Sequence, residues 1–156
     1  MGIKKYQDRI IYQIYPKSFR DSNGDGIGDL RGIIGKLEYL KDLGVNTIWL
    51  NPIFVSPQVD NGYDVSNYYA LDEKMGTLHD FDEFVETAHS LGLDVILDFV
   101  MNHTSDKHPW FKDAIANERS LYRDYYLWAK GKDCKLPNNW GSFFGGSVWE
   151  KDPQAD

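Results

Sequence analysis

The stretch that decides the fold is "LDVILDFVMNH", residues 93–103, which is apolar almost throughout. A strand of this composition is expected to have both of its faces covered, which is typical of a parallel sheet. Two earlier apolar runs, "RIIYQIYP" (9–16) and "VNTIWLNP" (45–52), are also predicted to be buried strands, and a proline ends each of them. The chain therefore supplies three candidate strands for one sheet.

Two segments with helical spacing separate these strands. Apolar residues recur at helical intervals over 30–44, and Gly44 suits a helix end. The segment 77–92 has the same period, and Thr77 followed by Asp80 predicts a capped start. The order strand, helix, strand, helix, strand predicts right-handed βαβ units and an α/β fold.

Three polar segments follow the carboxyl ends of the predicted strands, where parallel α/β folds bind ligands. They are 16–29, 51–76 and the chain after about residue 100. From Thr104 the apolar periodicity fails, and the sequence becomes rich in Trp, Tyr, Phe, Asn and Gly. We expect any functional site to lie among these segments.

Composition excludes several classes of protein. The 156 residues suit one domain of ordinary size, and 42% hydrophobic residues support a packed core. The net charge of −7 argues against a nucleic-acid partner. Neither a secretory segment nor an 18-residue apolar run is found, so we expect no membrane partner. The single Cys134 cannot form an intrachain disulfide, and a cytoplasmic location is expected.

The segment "DSNGDGIGDL", 21–30, nearly spells a calcium loop. Oxygen ligands on alternate residues can surround a hard cation such as Ca²⁺ or Mg²⁺. The candidate ligands are Asp21, Asn23, Asp25, Asp29 and the carbonyl of Ile27. A helix–loop–helix calcium switch is not predicted, because Gly32 stands where that motif needs Glu and a strand precedes the loop. The alternative is a solvated turn held by bonds from side chains to the backbone.

Two further motifs could contact a sugar. In "VDNGYD" (59–64), the Asp60 carboxylate could accept from sugar hydroxyls and the Tyr63 ring could stack on a sugar face. The alternative is an ordinary turn with a half-buried tyrosine. In "DFVMNHTS" (98–105), Asp98 and His103 follow the third strand, and the alternative for His103 is a structural histidine.

Five stretches together resemble glycoside hydrolase family 13, the α-amylase family, in their order and spacing. The similarity is greatest to its oligo-1,6-glucosidase and α-glucosidase branch, and it covers nearly the whole chain. The stretches are "IYQIYPKSFRDSNGDGIGDLRGI", "LGVNTIWLNPIFVSP", "DNGYDVSNY", "DFVMNHTSDKHPWF" and "RDYYLWAKGKD…PNNWGSFFGGSVWE".

The resemblance implies the N-terminal part of a (β/α)₈ barrel, the TIM barrel, over residues 1–103. It implies the beginning of an inserted domain B over 104–156. The acidic loop resembles a structural calcium or magnesium site of the branch, with the five ligands given above. The implied sugar-binding residues are Asp60, Tyr63, His103 and, in domain B, Phe144, while Asp98 resembles a carboxylate that supports the catalytic centre.

The implied activity is that of a retaining α-glucosidase acting on short α-glucosides such as isomalto-oligosaccharides. A complete barrel needs about 250 residues. The family's nucleophile and acid are expected beyond Asp156, so residues 1–156 alone are expected to be inactive. The alternatives are a trehalose-6-phosphate hydrolase, a sucrose isomerase, a non-catalytic family member and a calcium-binding module.

Overall fold

The computed structural model describes residues 6–131 and 135–152, so Cys134, on which the disulfide prediction rests, lies outside the described residues. Two short 3₁₀ helices cover Tyr6–Asp8 and Arg123–Tyr125. The other elements, in chain order, are β1 (Ile11–Ile14), α1 (Pro16–Phe19), α2 (Leu30–Ile34), α3 (Leu37–Asp42), β2 (Thr47–Leu50), β3 (Phe54–Val55), β4 (Asn67–Leu71), α4 (Leu78–Ser90), β5 (Asp94–Leu97) and α5 (Pro109–Ala116). The chain divides into two compact units, Met1–Ser105 and Asp106–Asp156.

The first unit is built on a parallel sheet in the order β1-β2-β5. Its register places Ile14 beside Leu50, and Leu50 beside Leu97. The three predicted strands and their parallel pairing are therefore confirmed. Because the strands are in register, their carboxyl ends lie at one edge of the sheet.

The hydrophobic core lies between one face of the sheet and the helices that connect its strands. Helix α2 contacts α4, and α4 contacts β5. The fully buried side chains of this core include Ile14, Leu30, Leu37, Ile48 and Phe84. Burial of apolar area contributes about 25 cal/mol per Å², so this layer is the main source of stability of the unit.

The other face of the sheet is open, so the prediction that both faces are covered is wrong for the described chain. Gln13 and Ile11 on β1 are exposed, and Ile96 on β5 retains 38% of its accessible area. Trp49, which lies between Gln13 and Ile96 in the register, is half-buried. Within the described residues the three strands form an open sheet. Arg9 covers the amino end of this inner face by donating to Thr47 Oγ1 and Asp94 Oδ2, and Thr47 is fully buried, whereas Gln13 and Ile96 stay exposed.

The predicted helix over 30–44 is two helices, α2 and α3. Lys36 leaves the helical region, with φ −120° and ψ 2°, directly after Gly35, a residue with low helix propensity. The helical spacing nevertheless continues across the break, because Leu30, Ile33, Leu37 and Leu40 are all buried in the core. The periodicity identified these four buried side chains but not the break, and its last position, Leu43, is 56% exposed.

The capped start of the second predicted helix is confirmed in α4. Asp80 N–H donates to Thr77 Oγ1 at 3.2 Å, and Thr77 N–H donates to Asp80 Oδ2 at 2.8 Å. Arg31 Nε reaches Asp80 Oδ1 at 2.7 Å, which ties α2 to α4. The bonds from Thr77, followed by the Arg31 charge, hold the pKa of Asp80 below its ordinary value.

Three short elements, α1, β3 and β4, lie inside segments that were predicted as loops. Pro16 begins helix α1, as its fixed φ favours at a helix start. Strands β3 and β4 pair antiparallel within the long segment after β2. Conversely, regular strand structure in 93–103 is limited to Asp94–Leu97.

The second unit contains a helix that the failing periodicity missed. Pro109 occupies the first position of α5, and His108 Nδ1 accepts from the Trp110 N–H at 3.2 Å. Aromatic rings fill much of this unit: Trp110 stacks on Tyr122, and the Arg123 guanidinium lies 3.4 Å from the Trp128 ring centroid. Assignment of this unit to domain B stays a prediction.

Candidate functional site

The sheet ladder continues for one step past β2 and β5 and so positions two polar side chains. Asn51 N–H donates to Ile14 O at 3.0 Å, and Asp98 N–H donates to Leu50 O at 3.0 Å. Each bond extends the pairing of a strand with its neighbour. Asn51 and Asp98 are therefore held at the carboxyl edge of the sheet, where this fold class places its ligands.

Tyr63 and Asp98 meet at this edge. The Tyr63 hydroxyl donates to Asp98 Oδ2 at 2.7 Å, and Trp49 Nε1 donates to Asp98 Oδ1 at 2.9 Å. Burial, together with the bond and the charge of Asp98, raises the pKa of Tyr63 to about 12. The phenol is thus a neutral donor at physiological pH, and both Asp98 oxygens have donors.

The turn that carries Asp60 is organised by the neighbouring Asp64. Asp64 accepts from Ser56 Oγ at 2.7 Å, and its carboxylate also accepts from the backbone N–H groups of Val59 and Asp60. Burial alone would raise the pKa of Asp64, but these bonds hold it below its ordinary value. The Asp60 charge contributes to the raised pKa of Tyr63, so the Asp60 carboxylate acts on the same edge.

His103 reaches the same turn from the segment after β5. Its Nε2 lies 3.0 Å from Tyr63 O, and its Nδ1 lies 3.2 Å from Asn102 Nδ2. A carbonyl can only accept and an amide NH₂ can only donate, so the proton of a neutral ring lies on Nε2. Four residues converge here, Asn51, Tyr63, Asp98 and His103, and we call them the rim cluster.

The sequence analysis selected three members of the rim cluster and missed Asn51. It also missed Trp49 and Gln13, which support the cluster from the inner face of the sheet. The available signal was position, since Asn51 directly follows β2 and precedes Pro52. Phe144 lies in the second unit, is 81% exposed and packs edge-to-face against Phe143. Its assignment to a sugar pocket stays a prediction.

The acidic loop is held together by its own side chains. Asp21 accepts from the N–H groups of Asn23, Gly24 and Gly26, and Asp25 Oδ1 accepts from Ile27 N–H at 2.8 Å. The bond from Gly26, followed by that from Gly24, lowers the pKa of Asp21. The bonds that the solvated-turn alternative requires are therefore present, and they leave carboxylate lone pairs for a cation.

Asp29 is engaged differently from the other predicted ligands. It is buried, its Oδ1 accepts from Gly32 N–H at 2.7 Å as the cap of α2, and its Oδ2 accepts from the N–H and Oγ of Ser22. Over residues 6–131 and 135–152, no group of three or more His, Cys, Asp or Glu side chains is arranged to hold a metal ion. A site here would therefore depend on the Asn23 amide and the Ile27 carbonyl as well as on carboxylates.

The structure explains why glycine stands at position 32, where a helix–loop–helix calcium site has Glu. A Cβ added at Gly32 would lie 2.0 Å from the carbonyl oxygen of Arg20. No side chain fits this contact, because the backbone of the loop lies against the start of α2. Gly35, three residues further on, has its nearest neighbouring atom 3.6 Å from an added Cβ.

We predict that Gly32→Ala lowers the melting temperature of the complete protein. By complete protein we mean the whole polypeptide that the gene encodes. The new methyl group must displace backbone, at a cost of about 1–3 kcal/mol. Gly35→Ala is the matched control and should be neutral, because its methyl group meets only ordinary van der Waals contacts. Thermal unfolding by circular dichroism measures both. Equal melting temperatures for the two variants would contradict the packing argument.

Among the described residues, none of the helices has the length and apolarity needed to cross a lipid bilayer.

Comparison with known proteins identifies the family. The sequence model described as "Alpha amylase, catalytic domain" matches residues 13–156. The chain is 51% identical over 151 residues to an oligo-1,6-glucosidase of Bacillus cereus. This alignment covers 97% of this chain and 27% of the glucosidase. It is also 58% identical over 144 residues to a trehalose-6-phosphate hydrolase of Escherichia coli K12. This alignment covers 92% of this chain and 26% of the hydrolase.

A solved structure matches as well. The crystal structure of isomaltulose synthase from Klebsiella sp. LX3 superposes with a TM-score of 0.94 at 50% identity, over 99% of this chain and 28% of that one. The chain thus spans about a quarter of the length of the relatives it matches. The predicted fold, the N-terminal part of a (β/α)₈ barrel, is confirmed by these neighbours. On this similarity, the chain belongs to the α-amylase family, glycoside hydrolase family 13.

Proposed function

We propose that the complete protein is a retaining α-glucosidase that hydrolyses short α-glucosides such as isomalto-oligosaccharides. The observation that carries the proposal is the rim cluster, which lies at the carboxyl edge of the sheet in a chain about half identical to oligo-1,6-glucosidases. In that protein one carboxylate attacks the anomeric carbon and another protonates the leaving oxygen. Retention requires these two groups about 5–5.5 Å apart.

In this proposal the described residues bind and orient the sugar. The Asp60 carboxylate accepts from sugar hydroxyls, and the Tyr63 ring presents an apolar face to the ring of the terminal glucose. His103, with Nε2 bonded to the Tyr63 backbone, closes the same side of the pocket. Asp98 supports them through Tyr63. Such positioning converts binding energy into a favourable attack geometry. Phe144 is proposed as a further aromatic contact from domain B.

A second candidate function within the family is hydrolysis of trehalose 6-phosphate. It is favoured by the 58% identity to the Escherichia coli enzyme of that name. Sucrose isomerisation is a third candidate, favoured by the superposition on isomaltulose synthase. We propose a small oligosaccharide as the only partner, and a cytoplasmic location on the basis of the single cysteine in the sequence.

The proposal is tested by offering the complete protein three substrates: isomaltose, trehalose 6-phosphate and sucrose. We expect isomaltose to be cleaved with the highest kcat/KM, and proton NMR to show α-glucose as the first product. Higher kcat/KM for trehalose 6-phosphate or formation of a sucrose isomer would select an alternative. No turnover of any of the three would reject the enzyme class.

Loss of the sugar contacts should reduce turnover. We expect Asp60→Ala and His103→Ala each to lower kcat/KM about tenfold. Asp60→Ala leaves a sugar hydroxyl unpaired, and His103→Ala removes the bond that holds the Tyr63 backbone, at a cost of about 1–3 kcal/mol each. Asp42→Ala and His79→Ala, at exposed positions on α3 and α4, are the matched controls and should retain wild-type kinetics. Turnover of a nitrophenyl α-glucoside measures all four. Wild-type kinetics for Asp60→Ala and His103→Ala would remove both residues from the pocket.

We also propose that the acidic loop binds Ca²⁺ or Mg²⁺ as a structural ion. The support is the alternation of oxygen ligands and the negative charge of three aspartates in one turn. The residues that would hold the ion are Asp21, Asn23, Asp25, Asp29 and the Ile27 carbonyl. The ion would neutralise their repulsion and stabilise the segment between β1 and α2.

The metal proposal predicts a calcium-dependent melting temperature. Adding Ca²⁺ at a hundred times its dissociation constant should stabilise the complete protein by about 2.7 kcal/mol. Asp25→Ala should abolish this response, whereas Asp82→Ala, an exposed carboxylate on α4, should preserve it. Calorimetry with and without a chelator gives the shift. A wild-type melting temperature indifferent to Ca²⁺, Mg²⁺ and chelator would leave the solvated turn as the explanation.

A further inference from the structure

A continuous chain of hydrogen bonds runs from β1 to Asp98. Gln13 Nε2 donates to Asn51 Oδ1 at 2.9 Å, and Asn51 Nδ2 donates to the Tyr63 hydroxyl at 2.8 Å. The Tyr63 hydroxyl donates to Asp98 Oδ2 at 2.7 Å. Four side chains from separate parts of the sequence are thereby joined in one line. The family role implied for Tyr63 and Asp98 does not account for Gln13 or Asn51.

The direction of this chain follows from the chemistry of its members. An ionised carboxylate can only accept, so the single proton of the Tyr63 hydroxyl points to Asp98. The raised pKa of Tyr63, about 12, keeps that proton in place at neutral pH. The hydroxyl must then accept from Asn51, which requires the Asn51 NH₂ to face Tyr63.

The same logic extends to Gln13. With its NH₂ turned to Tyr63, Asn51 presents its carbonyl oxygen to Gln13, and only a donor can pair with that oxygen. Gln13 therefore presents its NH₂. Asn51 by itself could bind in either of two amide orientations. Because the Gln13 amide has both a donor and an acceptor, it can pair with Asn51 in the orientation that Tyr63 requires, whereas a residue that can only accept cannot.

We propose that Gln13 and Asn51 are positioning residues for the reaction, which aim the Tyr63 hydroxyl at Asp98 and so fix the sugar-binding face of Tyr63. This inference rests on the proposed function, because substitutions at these positions change kcat/KM only if the protein is a glycosidase that binds its sugar through Tyr63. The residues touch no reacting atom; they act through Tyr63. Their identity as amides, rather than their volume, carries the effect.

Two substitutions at position 13 separate orientation from packing. Gln13→Glu keeps the shape and replaces the donor with an acceptor, so the Asn51 amide turns over and offers its oxygen to Tyr63. Asp98 and Asn51 then compete for one proton. Gln13→Ala removes the partner and lets Asn51 keep its orientation. We expect Gln13→Glu to lower kcat/KM by roughly tenfold or more and Gln13→Ala by about threefold or less. A packing role for Gln13 predicts the opposite order.

A double-mutant cycle separates the amide from the charge that Gln13→Glu introduces. If the effect passes through the Asn51 amide, Gln13→Glu combined with Asn51→Ala has the same kcat/KM as Asn51→Ala alone. If the new charge acts directly on the reacting groups, the two losses multiply. The wild-type protein, the two single variants and the double variant are compared by their kcat/KM for the same substrate at the same pH. Multiplicative losses would overturn the inference.

A crystal structure of complete Gln13→Glu protein gives a readout that needs no activity. We expect the distance between Tyr63 Oη and Asp98 Oδ2, 2.7 Å in the wild-type chain, to exceed the hydrogen-bond range of about 3.2 Å. Lengthening of this distance in a protein that cleaves no α-glucoside would reject the proposed function but support the positioning network. An unchanged distance, or greater loss of kcat/KM in Gln13→Ala than in Gln13→Glu, would overturn the network.

Discussion

Asp98→Ala in the complete protein is expected to lower kcat/KM for an α-glucoside by roughly 100-fold or more. The substitution removes the acceptor of both the Trp49 indole N–H and the Tyr63 hydroxyl. An unsatisfied group of this kind costs about 1–3 kcal/mol, and about 1.4 kcal/mol corresponds to a tenfold change. Tyr63 loses its fixed position as a result, and the sugar-binding side of the pocket loses its shape.

The matched control lies at the other end of the same strand. Asp94 pairs with Arg9 at 2.8 Å where β5 begins, on the amino side of the sheet. In barrels of this kind the carboxyl side carries function and the amino side carries stability. Asp94→Ala should therefore lower the melting temperature and leave kcat/KM near the wild-type value. Asp98→Ala that keeps wild-type turnover, or Asp94→Ala that loses it, would reverse the assignment of the two ends.

The second large effect concerns residues 1–156 expressed alone. We expect this polypeptide to have no glycosidase activity, because the proposed mechanism places the reacting carboxylates beyond Asp156. We also expect it to be insoluble, oligomeric or molten. Within the described residues β5 pairs with β2 alone, and a free strand edge invites association. Exposed apolar side chains near the sheet, including Ile10, Ile96, Phe99 and Met101, add to this tendency.

The measurement compares residues 1–156 with the complete protein. Glucose release from isomaltose, sedimentation and thermal unfolding are recorded for both. A cooperative transition from a soluble monomer would contradict the folding prediction. Glucose release above the blank would contradict the catalytic prediction and would mean that reacting groups lie among residues 1–156.

The sequence by itself determined the order of the three sheet strands and of the helical segments between them, together with part of the core. The reason is that these properties have short-range signals. Helical spacing identified Leu30 and Leu37 as buried even though the helix breaks between them, and the Thr77 and Asp80 pair marked the start of α4. The acidic loop was recognisable from its alternation, and its bonds between residues two to five positions apart are local as well.

Only the tertiary structure decided which polar side chains meet. Tyr63 and Asp98 are 35 residues apart, and Gln13 and Asn51 are 38 apart, so their contact depends on strand register and on the path of the turn between them. No local sequence pattern predicts the register of the strands. The requirement for glycine at position 32 has the same origin, because the atom that excludes a side chain belongs to Arg20 and approaches only when the loop has folded against α2. Local periodicity predicts the helices and strands. The direction of a hydrogen bond between distant residues and a close backbone contact arise only once those elements are packed.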